Sequence, residues 1–204
     1  KINNSTILDR AIKVALNSKI FDKIFINSDS NAYLLNSKKF KYCYPYKREK
    51  KLSSNNIFLI DVIKDMIKKE KLPDDYNIGI ILATSLLNKP THVKKAFKKF
   101  KKNKFKTGVV SVTEYETPIQ LAHYLNKNGE LIPYFPRDYN FSTRSTDHKK
   151  CYKFNESIVF NTVRNLKKQN TLIGKKPIPY IMEVKESLVL DYKYQLNIAR
   201  KLLK

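Results

Sequence analysis

The stretch Asn77-Ile78-Gly79-Ile80-Ile81-Leu82-Ala83-Thr84 decides how the rest of the chain is read. It is apolar from Ile78 to Ala83 and lacks the alternation of a strand with one wet face. A short run of this kind fits a strand covered on both faces, as in a parallel sheet between helix layers. Pro73-Asp74-Asp75 interrupts the chain just before it, so a strand is predicted over 77–84.

The flanks support this. Upstream, residues 56–70 carry helical spacing, and downstream residues 90–102 do the same with Pro90 in the first turn. Residues 107–113 follow as another strand. Nearer the start, apolar residues at 7, 8, 11, 12, 15 and 16 predict an amphipathic helix with Ser5 as its N-cap. A strand over 23–27 runs into Ser28-Asp29-Ser30, followed by a short helix and a strand over 41–46. Strand and helix thus alternate four times before residue 113, which predicts an α/β fold with a parallel sheet covered on both faces.

After Thr113 the rhythm changes. Residues 121–135 read as two short strands about Asn128-Gly129, a hairpin signal. This marks an insertion over 114–150, suited to a lid or a dimer arm. The alternation returns with strands at 157–161 and 178–184 and helices at 162–168 and 191–204. An open parallel sheet binds its ligand beyond the carboxyl ends of its strands. That rule singles out Ser28-Asp29, residues 83–87, residues 113–120 and the loop before Ser157.

At 204 residues and 42% hydrophobic content the chain suits one domain with a proper core. It has no apolar run long enough to span a bilayer. Cys43 and Cys151 lack metal-ligand spacing and read as reduced thiols of a cytosolic protein. The net charge of +23 would attract polyanions. Only six of the 41 basic residues are Arg, however, and the lysines are scattered, so the charge mainly describes the surface and does not mark a nucleic-acid site.

Four clusters carry candidate chemistry. Arg48 follows a strand and reads either as a solvated charge or as a base or phosphate ligand. Thr84 and Ser85 end the central strand, where they would bind a nucleotide or cap a helix. Asp191 is a Mg²⁺ ligand or an N-cap for the last helix. Arg144, in a loop before a core strand, offers a planar fork for a carboxylate or phosphate. The three histidines read as surface residues.

Taken in order, these segments resemble the acylneuraminate cytidylyltransferase family. The carriers are "ALNSKIFDKIFINSDS", "KREKKLSS", "LATSLLNKPTHVKKA", "TGVVSVTEYETPIQLAHYLNKNGELIPYF", "STRSTD", "NESIVF" and "SLVLD". They are most similar to the pseudaminic acid branch. The resemblance implies a single Rossmann-like nucleotidyltransferase domain over 1–204, a three-layer α/β/α fold with a small β-rich dimerisation insertion.

It also implies a cytoplasmic, homodimeric enzyme that uses CTP and Mg²⁺ to activate a nonulosonic sugar acid. Arg48, Thr84 and Ser85 would line the nucleotide pocket, and Gln120 would face the sugar. Arg144 would clamp the sugar carboxylate with Asn155 in support, and Asp191 would hold Mg²⁺ as the catalytic carboxylate. Lys149, Lys150 and Lys153 are expected at the surface.

Several departures from the family pattern open other readings. The family's first strand and phosphate loop are expected to precede Lys1, so activity of the chain as it stands is in question. Leu82 replaces Gln, Leu86 replaces Pro, Glu156 stands where Gly is usual, and Val189 takes the place of the first Asp of "D-I-D". These changes suit a non-catalytic relative that binds nucleotide or sugar acid. A basic nucleic-acid-binding domain is the third reading.

Overall fold

The computed structural model describes residues 5–137 and 144–203. The elements are α1 (Ile7–Ser18), β1 (Ile24–Ser28), α2 (Asn31–Ser37), β2 (Cys43–Lys47), α3 (Leu59–Lys69), β3 (Asn77–Ile81) and α4 (Pro90–Lys102). They continue with β4 (Val109–Glu114), β5 (His123–Leu125), β6 (Leu131–Pro133), β7 (Tyr152–Thr162), α5 (Val163–Lys168), β8 (Ile178–Met182) and α6 (Lys193–Leu202).

The helix starts show why each segment folds as it does. Thr6, not Ser5, caps α1: its hydroxyl accepts the Asp9 amide at 3.0 Å while the Asp9 carboxylate accepts the Thr6 amide at 3.2 Å. This reciprocal box satisfies two otherwise orphaned amides. In α4, Pro90 occupies the first turn, where a missing N–H costs nothing. The amide of Lys89 is taken by Nδ1 of His92 at 3.3 Å, which explains why His92 is buried and not at the surface.

A four-stranded sheet has the order β3-β7-β4-β8, and β1 and β2 form a separate parallel pair. Helices cover both faces of the larger sheet. On one face Val93, Ala96 and Phe100 of α4 pack on Val109, Ile158 and Phe160, with Val14 of α1 at the margin. On the other, Ile60, Ile63 and Ile67 of α3 pack with Val163 and Leu166 of α5 on Ile78. Val109 and Val110 belong to opposite clusters, as the period of two in a strand requires. The three-layer α/β/α architecture is Rossmann-like, as expected.

Two features depart from the sequence reading. First, β7 runs antiparallel to both β3 and β4, where a parallel strand is predicted. Glu114 pairs with Tyr152, and the Tyr115 amide donates to the Cys151 carbonyl at 2.9 Å. The insertion therefore leaves and re-enters the sheet at the same point. The strands that flank such an excursion are joined as in a hairpin and must run in opposite directions. Inside the insertion, β5 and β6 pair as the predicted hairpin around Asn126–Glu130.

Second, β3 stops at Ile81 and is only partly covered, although its composition is that of a strand enclosed on every side. One edge pairs with β7, and among the described residues the other pairs with no strand. β1 likewise pairs only with β2. Between these two open edges lies an apolar cavity of about 560 Å³. No helix among the described residues is long and apolar enough to cross a membrane.

Candidate active site

The chain turns sharply after β3. The Ser85 amide donates to the Leu82 carbonyl and the Asn88 amide to that of Ser85, both at 3.2 Å. Helix α4 does not begin until Pro90, so Thr84 and Ser85 do not cap it. The Ser85 hydroxyl is buried and has no hydrogen-bond partner, and the same holds for Oδ1 of Asn88. Both are polar atoms without protein partners in a turn beyond a strand end, where a ligand group would satisfy them.

The last segment of the chain docks on this turn. The Leu190 amide donates to the Thr84 carbonyl at 3.1 Å. Leu188 and Leu190 pack around Leu86 and Ala199, which anchors the segment through apolar burial. Asp191 follows at once and is exposed. It is not the cap of α6: that position belongs to Tyr192, and Oε1 of Gln195 accepts the amides of Asp191 and Tyr192 at 2.6 and 2.8 Å. The Asp191 carboxylate is thus spared helix capping, and the residue before it is bonded to the Thr84 turn.

Arg48 lies at the end of β2. Its amide donates to the Ser28 carbonyl at 2.9 Å, and its Nη2 lies 3.4 Å from Oδ1 of Asp29. Its Nε is buried without a partner, as are both amide atoms of Asn27. Asn27 and Arg48 line the same cavity as Leu82 and Ala83, so this cluster lies close to the β3 turn. Sequence reasoning missed Asn27. Its one signal was position, at a strand's carboxyl end immediately before Ser28-Asp29.

The remaining candidates divide. Asn155 is buried on β7; its Nδ2 donates to Oγ of Ser187 at 3.0 Å, and its Oδ1 accepts the Ser157 amide at 3.3 Å. Nδ2 of Asn88 reaches the Ser157 carbonyl at 3.3 Å. Asn155 therefore ties β7 to the segment after β8 and acts as a frame for the site, with its amide already committed.

Next to it, Glu156 has φ +48°, in the left-handed region that favours glycine. The register of β4 against β7 shifts here, and Ser111 Oγ accepts the Ile158 amide at 2.9 Å. Glycine, the residue expected here from the family pattern, adopts this backbone conformation without the penalty that a side chain carries.

Gln120 contacts Sγ of Cys151 at 3.7 Å, and its Oε1 is buried without a partner. Arg144 is exposed at the start of a 3-10 turn at Ser145–Asp147. Among the described residues no hydrogen bond or ion pair joins it to Asn155 or Asp191. Thr143 and Ser142 of its motif lie outside the described residues.

A partly buried pair that the sequence did not suggest joins α4 to the segment after β8. Nε2 of His92 is 3.1 Å from Oε2 of Glu186, which also pairs with Lys89. Nδ1 accepts a backbone amide, so the neutral ring carries its proton on Nε2 and donates it to the carboxylate. Burial pushes the imidazole below its ordinary pKa against the opposing pull of Glu186. Hydrogen bonding to Lys89 draws the Glu186 carboxyl down.

Among the described residues no group of three or more His, Cys, Asp or Glu is arranged to hold a metal ion. Asp191 supplies one carboxylate.

Comparison with known proteins shows the family of the chain. Residues 1–202 match a family described as "Cytidylyltransferase". The chain is 28% identical over 188 residues to the pseudaminic acid cytidylyltransferase of Campylobacter jejuni subsp. jejuni serotype O:2, covering 91% of this chain and 78% of that protein. It is 24% identical to the N-acylneuraminate cytidylyltransferase of Escherichia coli O18:K1:H7, over 95% of this chain and 45% of that one. In fold it is similar to CMP:2-keto-3-deoxy-manno-octonic acid synthetase complexed with CTP, at a TM-score of 0.68 and 10% identity. That match covers all of this chain and 89% of the other. It is also similar to 4-diphosphocytidyl-2C-methyl-D-erythritol synthase, at a TM-score of 0.71 and 11% identity, over all of this chain and 93% of the other.

Proposed function

The chain belongs to the cytidylyltransferase family, and from that premise we propose that it activates a nonulosonic sugar acid of the pseudaminic or sialic type with CTP. The anomeric hydroxyl oxygen bonds to the α-phosphorus, the bond from that phosphorus to the β-bridging oxygen breaks, and pyrophosphate leaves. The hydroxyl proton passes to solvent. The observation that supports this reading is the Leu190–Thr84 hydrogen bond, which brings the backbone just before Asp191 to the turn that carries the unpartnered hydroxyl of Ser85.

Each residue has a role in this reading. Arg48 donates to the nucleotide, with Asn27 alongside. Thr84 and Ser85 close the pocket from the β3 turn. Gln120 and Arg144 approach from the insertion, and Arg144 binds the sugar carboxylate. Asn155 holds β7 in place beneath the sugar. One carboxylate fits a Mg²⁺ ion held mainly by phosphate oxygens and water, the usual habit of this ion. Asp191 would hold it, and when bound it offsets charge developing on the phosphate oxygens.

The hairpin exposes Tyr124, Leu125, Leu131 and Tyr134, an apolar face that suits a second copy of the chain. A homodimer in the cytoplasm, where CTP is available, completes the reading.

Glu156 and Val189 favour a second reading, a relative that binds nucleotide without turnover. Pyrophosphate release, measured with CTP, Mg²⁺ and a panel of nonulosonic acids, separates the two. Release that requires one sugar acid supports the enzyme. CTP binding with no release under any sugar acid supports the binder.

A further inference from the structure

We propose that the outer face of α4 docks the protein on an anionic membrane surface, by charge and without insertion.

The sequence from Tyr76 to Thr113 holds nine lysines and no Arg, Asp or Glu. Lysines that look scattered along the chain are gathered by the helix. Val93, Ala96 and Phe100 are buried against the sheet, so the opposite side of α4 meets solvent. Apart from Thr91, every exposed residue on it is a lysine: Lys94, Lys95, Lys98, Lys99, Lys101 and Lys102. Lys94, Lys98 and Lys102 stand four apart and form one row about 12 Å long, with Lys95 and Lys101 on either side of it. Beyond the helix end Lys104 and Lys106 are exposed as well. There the Thr107 hydroxyl donates to the Lys176 carbonyl at 3.1 Å, which brings one more exposed lysine alongside.

This charge is not neutralised within the fold. Among the described residues no ion pair joins a lysine of α4 to a carboxylate. At the start of the helix Glu186 is taken by Lys89 and His92, and on the neighbouring α1 Asp9 is taken by Lys39 and the Thr6 cap. Like charges four apart weaken a helix, so the row is unfavourable until an anionic partner screens it. The opposite helix layer is basic too, but acids interrupt it: Asp65 holds Lys69 on α3, and Asp74 holds Lys167 on α5.

Chemistry selects the partner. Nucleic-acid surfaces combine arginine forks with aromatic rings on which bases stack. Here there is no arginine, and the rings of the segment, Phe97, Phe100 and Phe105, pack inward on the core. Lysine is a hydrated point charge on a long flexible stem. A row of such charges suits a plane of mobile anionic headgroups, where each contributes about fivefold to partition. The apolar side of α4 is committed to the core, so the helix rests on the surface and does not sink into it.

Flotation with vesicles of equal parts phosphatidylglycerol and phosphatidylcholine tests this, with pure phosphatidylcholine vesicles alongside. The 204-residue chain should float with the anionic vesicles, stay behind with the neutral ones, and be released as salt rises. Lys94→Gln, Lys98→Gln and Lys102→Gln together should lower the bound-to-free ratio about tenfold or more. Gln forms helices as well as Lys does, so the thermal midpoint should hold.

Lys68→Gln, Lys71→Gln and Lys168→Gln remove the same charge from exposed positions on the opposite layer. They should leave the ratio within about twofold, because charges beyond a Debye length from the surface are screened. Absence of flotation overturns the proposal. So does an equal loss in both triple variants, which would make net charge responsible and not this face. Binding of mixed-sequence RNA that the α4 substitutions weaken, with no binding of vesicles, overturns it as well and assigns the face to nucleic acid. Neither CTP nor a sugar acid enters the measurement, so its outcome is separate from that of the pyrophosphate assay.

Discussion

The Leu190 amide and the Thr84 carbonyl meet at 3.1 Å, and this contact joins the two halves of the candidate site. Thr84 belongs to the turn after β3, and Leu190 to the segment held by Leu86 and Ala199 before α6. The hydrogen bond sets Asp191 beside the turn without using its carboxylate.

Asp191→Asn tests that carboxylate. Its side chain is exposed, and Gln195 contacts only its backbone, so the thermal midpoint should be unchanged. Pyrophosphate release should fall about a hundredfold or more, the scale for removing a group that stabilises transition-state charge. Full activity in this variant would remove Asp191 from the mechanism.

Arg48→Ala should weaken CTP binding about tenfold or more, as expected for losing a hydrogen bond to a charged group. Arg48→Lys should recover only part of this, because a point charge does not replace the planar fork. Calorimetric titration with CTP reads both. Equal affinity of Arg48→Ala and the parent chain would return Arg48 to the solvated surface.

Glu156→Gly should stabilise the fold by about 1 kcal/mol, since a side chain at φ +48° carries a left-handed penalty that glycine avoids. Chemical denaturation would show the midpoint rising with its slope unchanged. A lower midpoint would mean that the carboxylate contributes more than the backbone conformation costs.

Asn155→Leu should destabilise by about 1–3 kcal/mol, because the Ser157 amide and the Ser187 hydroxyl lose a buried partner. The same denaturation measurement applies. A change within error would show that water takes over both bonds.

His92 predicts a pH effect. Its folded pKa is lowered, so between that value and the unfolded value of ~6.5 the native state binds fewer protons than the unfolded chain. Stability is therefore complete above ~6.5 and declines as pH falls through this window. Glu186, also lowered, contributes stability above the unfolded carboxyl range and loses it as pH falls through its depressed folded value. His92→Gln should flatten the upper slope and keep most of the lower one, because the hydrogen bond to Lys89 is the first cause of the lowered Glu186 carboxyl. An unchanged upper slope would assign it to other groups.

Much of this architecture is legible in the sequence because it follows from local pattern. The apolar run at Ile78–Leu82 and the helical spacing of α1, α3 and α4 record burial directly. The turn at Asn126–Glu130 is written in Asn-Gly chemistry. Other features depend on partners far along the chain. The direction of β7 follows from where the insertion re-enters the sheet, and no spacing within 152–162 encodes it. His92 looks like a surface residue until Lys89 and Glu186 are placed around it.

The candidate site divides in the same way. Residue type raised Arg48, Thr84, Ser85 and Asp191 as candidates with solvated or capping alternatives, and the resemblance carried by the order of the segments gave them their site roles. Only the tertiary structure decided that Asn155 is a frame, that Asp191 is spared capping, and that Asn27 shares the cavity with Arg48. The strand at Ile78 shows the limit most plainly. By itself the sequence determined that this run belongs in a layer covered on both faces, since hydrophobic patterning responds to burial. Which strands flank it, and that one edge is open, depends on backbone hydrogen bonds between distant segments. Those bonds form between peptide groups, which are common to all side chains and leave no mark in the sequence.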